Sequence, residues 1–361
     1  MIRPIVTTLV VLLSLAGYGC AQRPGTPAYD PTPRIGVLIP KGPPDYALLL
    51  DALQGAKLVT DGPFEYRTGS ISGVAVVLTI QPTDGEVMRA LGAITMDHDF
   101  NLRAVLYPGT SGGHLPRGEM GVGDVVLGAK NVDHGNYYLS PKGEIEAGEF
   151  NAIQPGMLHY GPLYADPRLL AMLACSATRV AKQAPLPAWL EPVAADKRPQ
   201  IFFYGIQGSS TIWSDNQAYT EATMKVFHEI DEDGDWYSNL AATLYHVPFI
   251  EVSVISNSIF AFPERSHGTP ESPKGEPNSH VFAQRESNRI ALDLIGRYGK
   301  TILAGSYSTP TEDPFPAGVF DKMREPQGLL QGCKQSCGWK LRVSPLRIAV
   351  RLRCFGRDDT S

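Results

Sequence analysis

Continuous apolar runs alternate along this chain with segments of helical periodicity. A run of apolar residues without polar alternation is typical of a strand that is covered on both faces. Such runs lie at 34–40, 102–107, 124–130, 200–206 and 249–256. Helical spacing marks the stretches 85–100, 166–183, 216–227, 238–245 and 280–299. The alternation predicts an α/β fold in which helices cover a central sheet.

Three segments carry more detailed predictions. The stretch 64–80 is typical of two strands joined by a Ser-Gly turn. In the helix at 85–100, Val87, Leu91 and Ile94 have helical spacing, which predicts that they form its buried face. The helix at 280–299 closes on a glycine, the residue type that commonly ends helices.

The composition is that of an ordinary globular protein. Of the 361 residues, 43% are hydrophobic and 19% are charged, and the formal net charge is −5. A mildly acidic chain with scattered Lys and Arg predicts no nucleic-acid partner. We expect a Pro-rich linker at 22–33, one domain at 34–305 and a basic C-terminal tail at 306–361 that is appended to the domain.

The N-terminus is typical of a targeting segment. It has one early Arg, an apolar run from Ile5 to Leu15 that is short for a membrane span, and small residues around Cys20. This pattern predicts a signal peptide at 1–21 and therefore export, with no integral span beyond the signal. Cleavage after Ala21 and lipid attachment at Cys20 are both consistent with the pattern.

Four further cysteines follow the signal. Cys175 lies in an apolar helical run, which predicts a buried free thiol. In an exported protein Cys333, Cys337 and Cys354 can form one disulfide among themselves, and the sequence does not choose the pair. The Cys and His residues do not have the spacing of a structural zinc site.

The segment Gly109-Thr-Ser-Gly-Gly113 admits two interpretations. As G-x-S-x-G it matches the nucleophile elbow of serine hydrolases, which needs a strand before the serine and a helix directly after it. The strand is expected, but His114-Leu-Pro-Arg-Gly118 does not favour a helix. The sequence therefore favours a glycine-rich turn whose amides and hydroxyl groups bind an anion or a sugar, the alternative being a turn that binds nothing.

An ordered set of motifs resembles the nucleoside phosphorylase / nucleosidase superfamily. In that family a strand ends in a G-[TS]-[SA]-G-G loop, and a vGDvV strand follows shortly after. The matching stretches are RIGVLIP (34–40), VVLTIQPTDGEVMRALGAITM (76–96), GTSGGHLPRGEMGVGDVVL (109–127), GSSTIWSDNQAY (208–219) and NLAATLYHVPFIEVSVISN (239–257). The insertion-rich, exported form resembles the bark-storage-like and bacterial secreted branch.

The resemblance implies a three-layer α/β domain whose mixed central sheet partly closes into a barrel. It implies cleavage of the N-glycosidic bond of a purine-type nucleoside, by phosphate in phosphorylases or by water in nucleosidases. The expected partner is a small-molecule nucleoside. The resemblance implies no metal and no cofactor other than inorganic phosphate as a co-substrate. Members of the family commonly assemble as dimers, trimers or hexamers, so a homo-oligomer is also implied.

The resemblance places the glycine-rich segment beside phosphate or the sugar. Its predicted binding residues are Gly109, Thr110, Ser111, Gly112 and Gly113, with Gly85 at the family's second glycine-containing turn. The arginine that phosphorylases use for phosphate has no evident counterpart. Arg89 lies nearby in sequence but is expected to face solvent, which favours water over phosphate.

An acidic run supplies the expected ribose ligand. The family's carboxylate that spans the ribose hydroxyls corresponds to Asp233 with Glu232 beside it, or to Asp235 in a second register. The alternative is a solvated acidic turn. The spacing of the run does not match a calcium loop, because its glycine stands at the wrong position.

The remaining site residues are expected around the base and the attacking group. Trp213 is expected to stack on the base, the alternative being an ordinary core tryptophan. Asn257 stands where nucleosidases have the aspartate that protonates the base, and an amide cannot supply that proton. Asp45 is the candidate for activating water.

Three functional hypotheses follow. The first is an exported enzyme that cleaves a purine-type nucleoside. The second is a non-catalytic nucleoside-binding or storage protein with the same fold, which Asn257 and the missing phosphate arginine favour. The third is a serine hydrolase that uses Ser111.

Overall fold

The computed structural model describes residues 27–39, 46–80, 85–148, 161–232, 234–310, 312–333, 343–344 and 347–348. The predicted signal peptide, Asp45 and Asp233 lie outside the described residues. No helix within these ranges is both long and apolar enough to cross a membrane.

The strands and helices alternate as predicted. The strands are β1 (Asp30–Val37), β2 (Gln54–Asp61), β3 (Phe64–Ile71), β4 (Val74–Ile80), β5 (Phe100–Gly113), β6 (Val125–Asp133), β7 (Tyr137–Leu139), β8 (Ile145–Ala147), β9 (Leu163–Tyr164), β10 (Ile201–Ser209), β11 (Asp231–Glu232), β12 (Phe249–Asn257), β13 (Val343–Ser344) and β14 (Arg347–Ile348). The α-helices are α1 (Ala47–Ala52), α2 (Glu86–Asp99), α3 (Pro167–Ala181), α4 (Gln217–Phe227), α5 (Trp236–Leu244) and α6 (Ser279–Ala304). Short 3₁₀ turns lie at 188–190, 266–268, 319–322 and 329–332.

The main sheet is mixed and partly closes on itself. Its strand order is β11-β10-β6-β12-β5-β1-β4-β3-β2, and β11 also pairs with β5. Strands β5, β12, β6, β10 and β11 therefore form a ring, in which β12 is parallel to β5 and antiparallel to β6. This confirms the mixed sheet, and the ring is the closure that the family resemblance implies.

Helices cover both faces of this sheet. Helices α3 and α6 pack on one face over residues such as Ile35, Leu106 and Val252. Helices α2 and α5 pack on the other face over Val105 and Phe249. The result is the predicted three-layer α/β arrangement. The predicted hairpin at 64–80 is also present as β3 and β4, joined at Ser72 and Gly73, both of which have positive φ.

The buried face of α2 differs from the one predicted. Val87 and Leu91 are 60% and 45% exposed, while the buried face carries Arg89, Ala93 and Met96. This face of α2 packs against β5 and α5. Of the three predicted residues Ile94 packs partly against the core, so the apolar spacing predicted the wrong face at Val87 and Leu91.

Helix α6 continues beyond its predicted end. Gly299 lies inside the helix, and a Cβ at this position would come within 2.7 Å of the Val74 side chain. The glycine thus permits close packing on β4 and does not end the helix, which continues to Ala304.

The cysteine pairing also differs from the prediction. Cys175 is not a free thiol: it forms a disulfide with Cys333, and their Cα atoms are 5.5 Å apart. Cys337 and Cys354 lie outside the described residues. Val319 and Leu329 are buried in the main core. Residues 312–333 therefore pack against the domain, whereas the sequence predicted an appended tail from 306 onwards.

A buried carboxyl group in α2 predicts how stability depends on pH. Both oxygens of Asp97 are buried without a hydrogen bond in the described part of the chain, and desolvation raises the pKa of this group to about 8. Between pH 4 and 8 the unfolded chain loses this proton while the folded chain keeps it, so stability falls as the pH rises. We expect the unfolding temperature to be several degrees lower at pH 8.5 than at pH 5.5.

Asp97→Asn tests the origin of this effect. The amide has the same shape and no charge, so the variant should lose part of the pH dependence that scanning calorimetry measures. An unchanged difference between pH 5.5 and pH 8.5 in this variant would show that Asp97 is ionised in the folded protein.

Candidate functional site

A cavity of about 390 Å³ lies where the strands of the ring end beside the N-terminus of α2. The described residues that line it are Gly85, Glu86, Arg89, Thr110, Ser111, Gly112, His134, Ser210, Thr211, Ile212, Trp213, Glu232, Ser256, Asn257 and His280. Seven of the positions predicted from the sequence are among them: Gly85, Thr110, Ser111, Gly112, Trp213, Glu232 and Asn257. Strand ends and helix N-termini commonly form ligand sites in α/β folds.

The glycine-rich segment is strand, and the prediction of a turn was wrong. Residues 109–113 form the last part of β5 and pair with β12 on one side and β11 on the other. Ser111 is buried, and no helix follows it directly. The elbow geometry is therefore absent, which removes the structural basis of the serine-hydrolase hypothesis.

The three glycines of this segment have different neighbours. Gly112 lines the cavity, and a Cβ on it would lie 2.9 Å from Oε1 of Glu232. Gly109 and Gly113 pack closely against Tyr107 and Met120 and do not line the cavity. Only Thr110, Ser111 and Gly112 therefore border the space that a ligand would occupy.

Of the described residues of the acidic run, Glu232 contributes its carboxylate to the cavity wall. Glu232 lies on β11 opposite Gly112, and its Oε2 is 3.5 Å from Nε2 of His114. Burial lowers the pKa of His114 to about 3, so this imidazole is neutral. Asp235, the second candidate, is fully buried and accepts a hydrogen bond from the Ser238 amide at the start of α5. It does not line the cavity, so the second register is not supported.

Behind the cavity wall lies a polar core inside the ring. The Ser111 hydroxyl donates a 2.8 Å hydrogen bond to Asp231, and the Gln207 amide donates another of 3.3 Å. Burial raises the pKa of Asp231 to about 8 and that of Glu251 well above its ordinary value. Both carboxyl groups therefore keep their protons to a higher pH than exposed carboxyl groups do.

An aromatic pair stands at the exposed side of the cavity. Trp213 is 71% exposed and stacks on His267, with ring centroids 4.6 Å apart and planes inclined by 24°. His267 is held by Asp215, whose Oδ2 is 2.9 Å from its Nδ1. Trp213 is therefore not a core tryptophan. Its ring is supported by His267 and remains accessible to a planar ligand.

Both ends of the Asn257 amide have protein partners. The Nδ2 atom donates to the backbone oxygen of His267 at 2.9 Å. The Ser256 hydroxyl donates to Oδ1 at 2.8 Å. These contacts fix the amide at the cavity wall, where it has no acidic proton to donate.

Arg89 borders the cavity and does not face solvent as the sequence predicted. Its side chain is 2% exposed. The guanidinium donates to the hydroxyl of Tyr107 at 2.7 Å and to the carboxylate of Glu86 at 2.9 Å. The positive charge at the start of α2 is therefore compensated by a neighbouring carboxylate.

Two histidines were not predicted from the sequence. His134 follows β6 directly, and its Nδ1 lies 3.2 Å from Oε1 of Glu229. His280, in the first turn of α6, lies 3.3 Å from the hydroxyl oxygen of Thr110. Their positions at the end of a strand and the start of a helix could have singled them out. Among the described residues, no three His, Cys, Asp or Glu side chains are grouped to hold a metal ion.

Comparison with known proteins shows a likeness at the level of structure. No protein-family model matches the chain, and no curated protein sequence matches it. A solved structure of a putative methylthioadenosine nucleosidase from Weissella paramesenteroides is similar, with a TM-score of 0.55 and 20% identity. The match covers 74% of this chain and 99% of that one.

Two further nucleosidase structures match over similar lengths. A 5′-methylthioadenosine/S-adenosylhomocysteine nucleosidase from Colwellia psychrerythraea, in complex with adenine, gives a TM-score of 0.54 at 16% identity and covers 75% of this chain and 97% of its own. The Neisseria meningitidis enzyme of the same name, in complex with methylthio-immucillin-A, gives 0.52 at 17%, with 73% and 99% covered. The chain thus has the fold of these nucleosidases, which confirms the fold that the resemblance implied.

Proposed function

We propose that this protein hydrolyses the N-glycosidic bond of a purine-type nucleoside. The observation that carries the proposal is the convergence of predicted site residues from separate segments on one cavity of about 390 Å³. The fold shared with methylthioadenosine nucleosidases supports the same reaction class. A cavity of this size can enclose most of a nucleoside.

The cavity residues suit the charge that develops in glycosidic cleavage. The ribosyl group acquires positive, oxocarbenium-like character as the bond to the base breaks. Glu232 carries a carboxylate that can accept hydrogen bonds from the ribose hydroxyls and stabilise this charge. Trp213 offers a stacking surface for the base, and Thr110 offers a hydroxyl to the sugar.

The surroundings of Arg89 favour water over phosphate as the attacking group. Its guanidinium contacts the Glu86 carboxylate at 2.9 Å. A phosphate at this position would meet that carboxylate as well as the arginine, which weakens the attraction of the site for a dianion. Among the described residues, Glu86 and Glu232 are the carboxylates that line the cavity, and either can accept a proton from attacking water. Asp45 lies outside the described residues.

Product analysis tests the proposal. The purified protein is incubated with adenosine, inosine and methylthioadenosine, with and without inorganic phosphate, and the free base is measured by chromatography. Hydrolysis predicts release of base and free sugar at a rate independent of phosphate. Formation of a sugar 1-phosphate would instead identify a phosphorylase.

The second candidate is a protein that binds a nucleoside without cleaving it. The engaged amide of Asn257 favours this alternative, since both of its ends already have protein partners and it supplies no proton. Saturable binding of a nucleoside in calorimetry, without release of base over hours, would support this second function and exclude the first.

Trp213 gives a prediction that applies to either function. Replacing Trp213 with alanine removes the exposed face on which a base can stack, a contact worth about 1–3 kcal/mol, so affinity should fall by about fivefold or more. Titration by calorimetry, or KM if the protein is active, measures the change. Trp189→Ala is the control on a tryptophan that does not line the cavity. Equal affinity of the Trp213 variant and the wild type would exclude stacking.

We also propose that the protein is exported, as the N-terminal pattern predicts. The Cys175–Cys333 disulfide supports this proposal, because disulfides persist mainly in oxidising compartments. Attachment of lipid at Cys20 and membership of the exported, bark-storage-like branch stay predictions. Mass spectrometry of the mature N-terminus from the native host would identify the cleavage site.

The oligomeric state is a further part of the proposal. Val87 and Leu91 on α2 are exposed, as are Leu244 and Tyr245 at the end of α5, the helix packed beside it. Exposed apolar groups on two neighbouring helices are typical of an interface between subunits. We propose a homo-oligomer, which light scattering coupled to gel filtration would detect and a monomeric mass would exclude.

A further inference from the structure

A buried histidine–glutamate pair borders the cavity and has no role in the reaction as described so far. His134 lines the cavity with 2% of its surface exposed, and Glu229 behind it is 1% exposed. Nδ1 of His134 lies 3.2 Å from Oε1 of Glu229. The other ring nitrogen, Nε2, makes no hydrogen bond to any described residue. One ring nitrogen of this cavity-lining imidazole therefore has no hydrogen-bond partner among the described residues, and a carboxylate lies at the other.

The backbone leaves no spare room around this pair. A Cβ on Gly208 would lie 2.9 Å from Nδ1 of His134 and 2.9 Å from Cγ of Glu229. The ring of His114 stacks on that of His134, with centroids 6.1 Å apart and planes inclined by 12°. Of the two rings, that of His134 is nearer to the carboxylate: its Nδ1 is 3.2 Å from Oε1 of Glu229, whereas Nδ1 of His114 is 3.9 Å away. A carboxylate at this distance accepts a hydrogen bond from a protonated ring nitrogen and orients the imidazole.

The position of His134 relative to Trp213 follows from the strand register. Strands β6 and β10 are parallel, with Asp133 opposite Ser209, and the His134 amide donates to the Ser209 oxygen at 3.0 Å. His134 therefore lies beside Ser210, where the loop that carries Trp213 begins. Since Trp213 and His134 line the same cavity, a ligand that fills it can contact both rings.

We propose that His134, supported by Glu229, is the acid that protonates the departing base. This inference rests on the proposed hydrolysis and supplies the proton that Asn257 cannot. As the C1′–N9 bond breaks, its electron pair goes to the base, and the Nε2 proton of His134 passes to N7. Water bonds to C1′ and gives its proton to a cavity carboxylate, and solvent restores the proton of His134.

His280 is the competing donor within the cavity. Its Nδ1 lies 3.3 Å from the hydroxyl of Thr110 on β5, whereas the amide of His134 donates to Ser209 at the end of β10, the strand that leads to Trp213. Glu232 and Glu86 are the carboxyl groups of the described wall. The proposed ribose contact requires the ionised form of Glu232, and Glu86 is paired with Arg89. The geometry therefore favours His134 over these groups.

A comparison of two leaving groups tests this assignment. Adenosine needs protonation of its base, whereas 7-methyladenosine already carries a positive charge on the base and leaves without a proton. His134→Gln should lower kcat/KM for adenosine by about 10²-fold or more. The same variant should lower kcat/KM for 7-methyladenosine only a few-fold. Inosine and 7-methylinosine serve in the same way if the wild type prefers them.

Further variants separate an acid from a structural residue. Glu229→Gln should show the same contrast between the two substrates in a weaker form. His114→Gln is the matched control, because His114 is equally buried and lies beside the same carboxylate but does not line the cavity. Any loss that it causes should be equal for both substrates. Circular dichroism confirms that each variant is folded.

The outcomes distinguish this inference from the proposed function. If the wild type cleaves neither substrate, the proposed function fails and the inference fails with it. If the wild type is active but His134→Gln loses activity equally on both substrates, or loses none, the acid is not His134. If His280→Gln, and not His134→Gln, lowers kcat/KM much more for adenosine than for 7-methyladenosine, the acid is His280 and the inference is overturned.

Discussion

Replacing Glu232 with glutamine is expected to lower kcat/KM for nucleoside cleavage by about 10²-fold or more. The side chain lies at the cavity wall on β11, beside Gly112 of β5, with its Oε2 near a neutral histidine. A carboxylate in a cavity with few other anions accepts hydrogen bonds from ribose hydroxyls more strongly as positive charge develops on the sugar. Glutamine retains the shape and removes the charge, so the loss should appear mainly in kcat.

A substrate without the 2′-hydroxyl identifies the contact. When rates are divided by the intrinsic reactivity of each substrate, the wild type should cleave 2′-deoxyadenosine less well than adenosine. Glu232→Gln should reduce this difference between the substrates, because the variant alters the group that contacts the 2′-hydroxyl. Glu144→Gln, at an exposed carboxylate that does not line the cavity, controls for the change of charge. Equal loss on both substrates would show that Glu232 acts elsewhere than on the 2′-hydroxyl.

The predictions from sequence succeeded where periodicity and motif order agreed. The apolar runs became β5, β6, β10 and β12, and the helices between them formed as expected. Trp213 and Asn257 are widely separated in the chain, yet both follow predicted strands, whereas Glu232 lies on β11, a two-residue strand that the sequence did not predict. Strands that end at one site bring such residues together, so the ordered motifs could predict the shared cavity before any coordinates.

The glycine-rich segment shows where local rules fail. Glycines commonly signal turns because they adopt positive φ, but none of the three in 109–113 has a positive φ. Gly109, Gly112 and Gly113 are required instead by close neighbours, namely Tyr107, Glu232 and Met120. Glu232 and Met120 lie outside β5, the strand that carries these glycines. The requirement for space is therefore a tertiary property that a turn rule does not include.

Arg89 and His134 were missed for a related reason. The apolar pattern of α2 predicted a buried face of Val87, Leu91 and Ile94, which left Arg89 on the solvent side. Its burial depends on two partners: Glu86 compensates its charge, and the Tyr107 hydroxyl accepts a hydrogen bond from its guanidinium. The partner of His134, Glu229, is 95 residues away in sequence. Charged side chains become buried through such partners, and single-sequence periodicity does not reveal them.

Removing the Cys175–Cys333 disulfide should lower the free energy of unfolding substantially. The bridge closes a loop between residues 158 apart, for which the chain-entropy model gives about 5 kcal/mol and measured cases commonly give about 2–4 kcal/mol. Cys333→Ser is the cleaner substitution, because Cys175 is buried in α3 and a serine there would bury a hydroxyl. We expect the unfolding temperature of Cys333→Ser to fall by about 5 °C or more.

The reductant supplies the control for this experiment. Dithiothreitol should lower the unfolding temperature of the wild type by a similar amount and leave that of Cys333→Ser unchanged, since the variant has no such bridge to reduce. The loss should also release the segment that carries Val319 and Leu329, so limited proteolysis should cleave within 312–333 first. Equal unfolding temperatures of the oxidised wild type and Cys333→Ser would contradict the Cys175–Cys333 disulfide. In that case, peptide mapping under non-reducing conditions would show whether Cys333 is linked to Cys337 or to Cys354 instead.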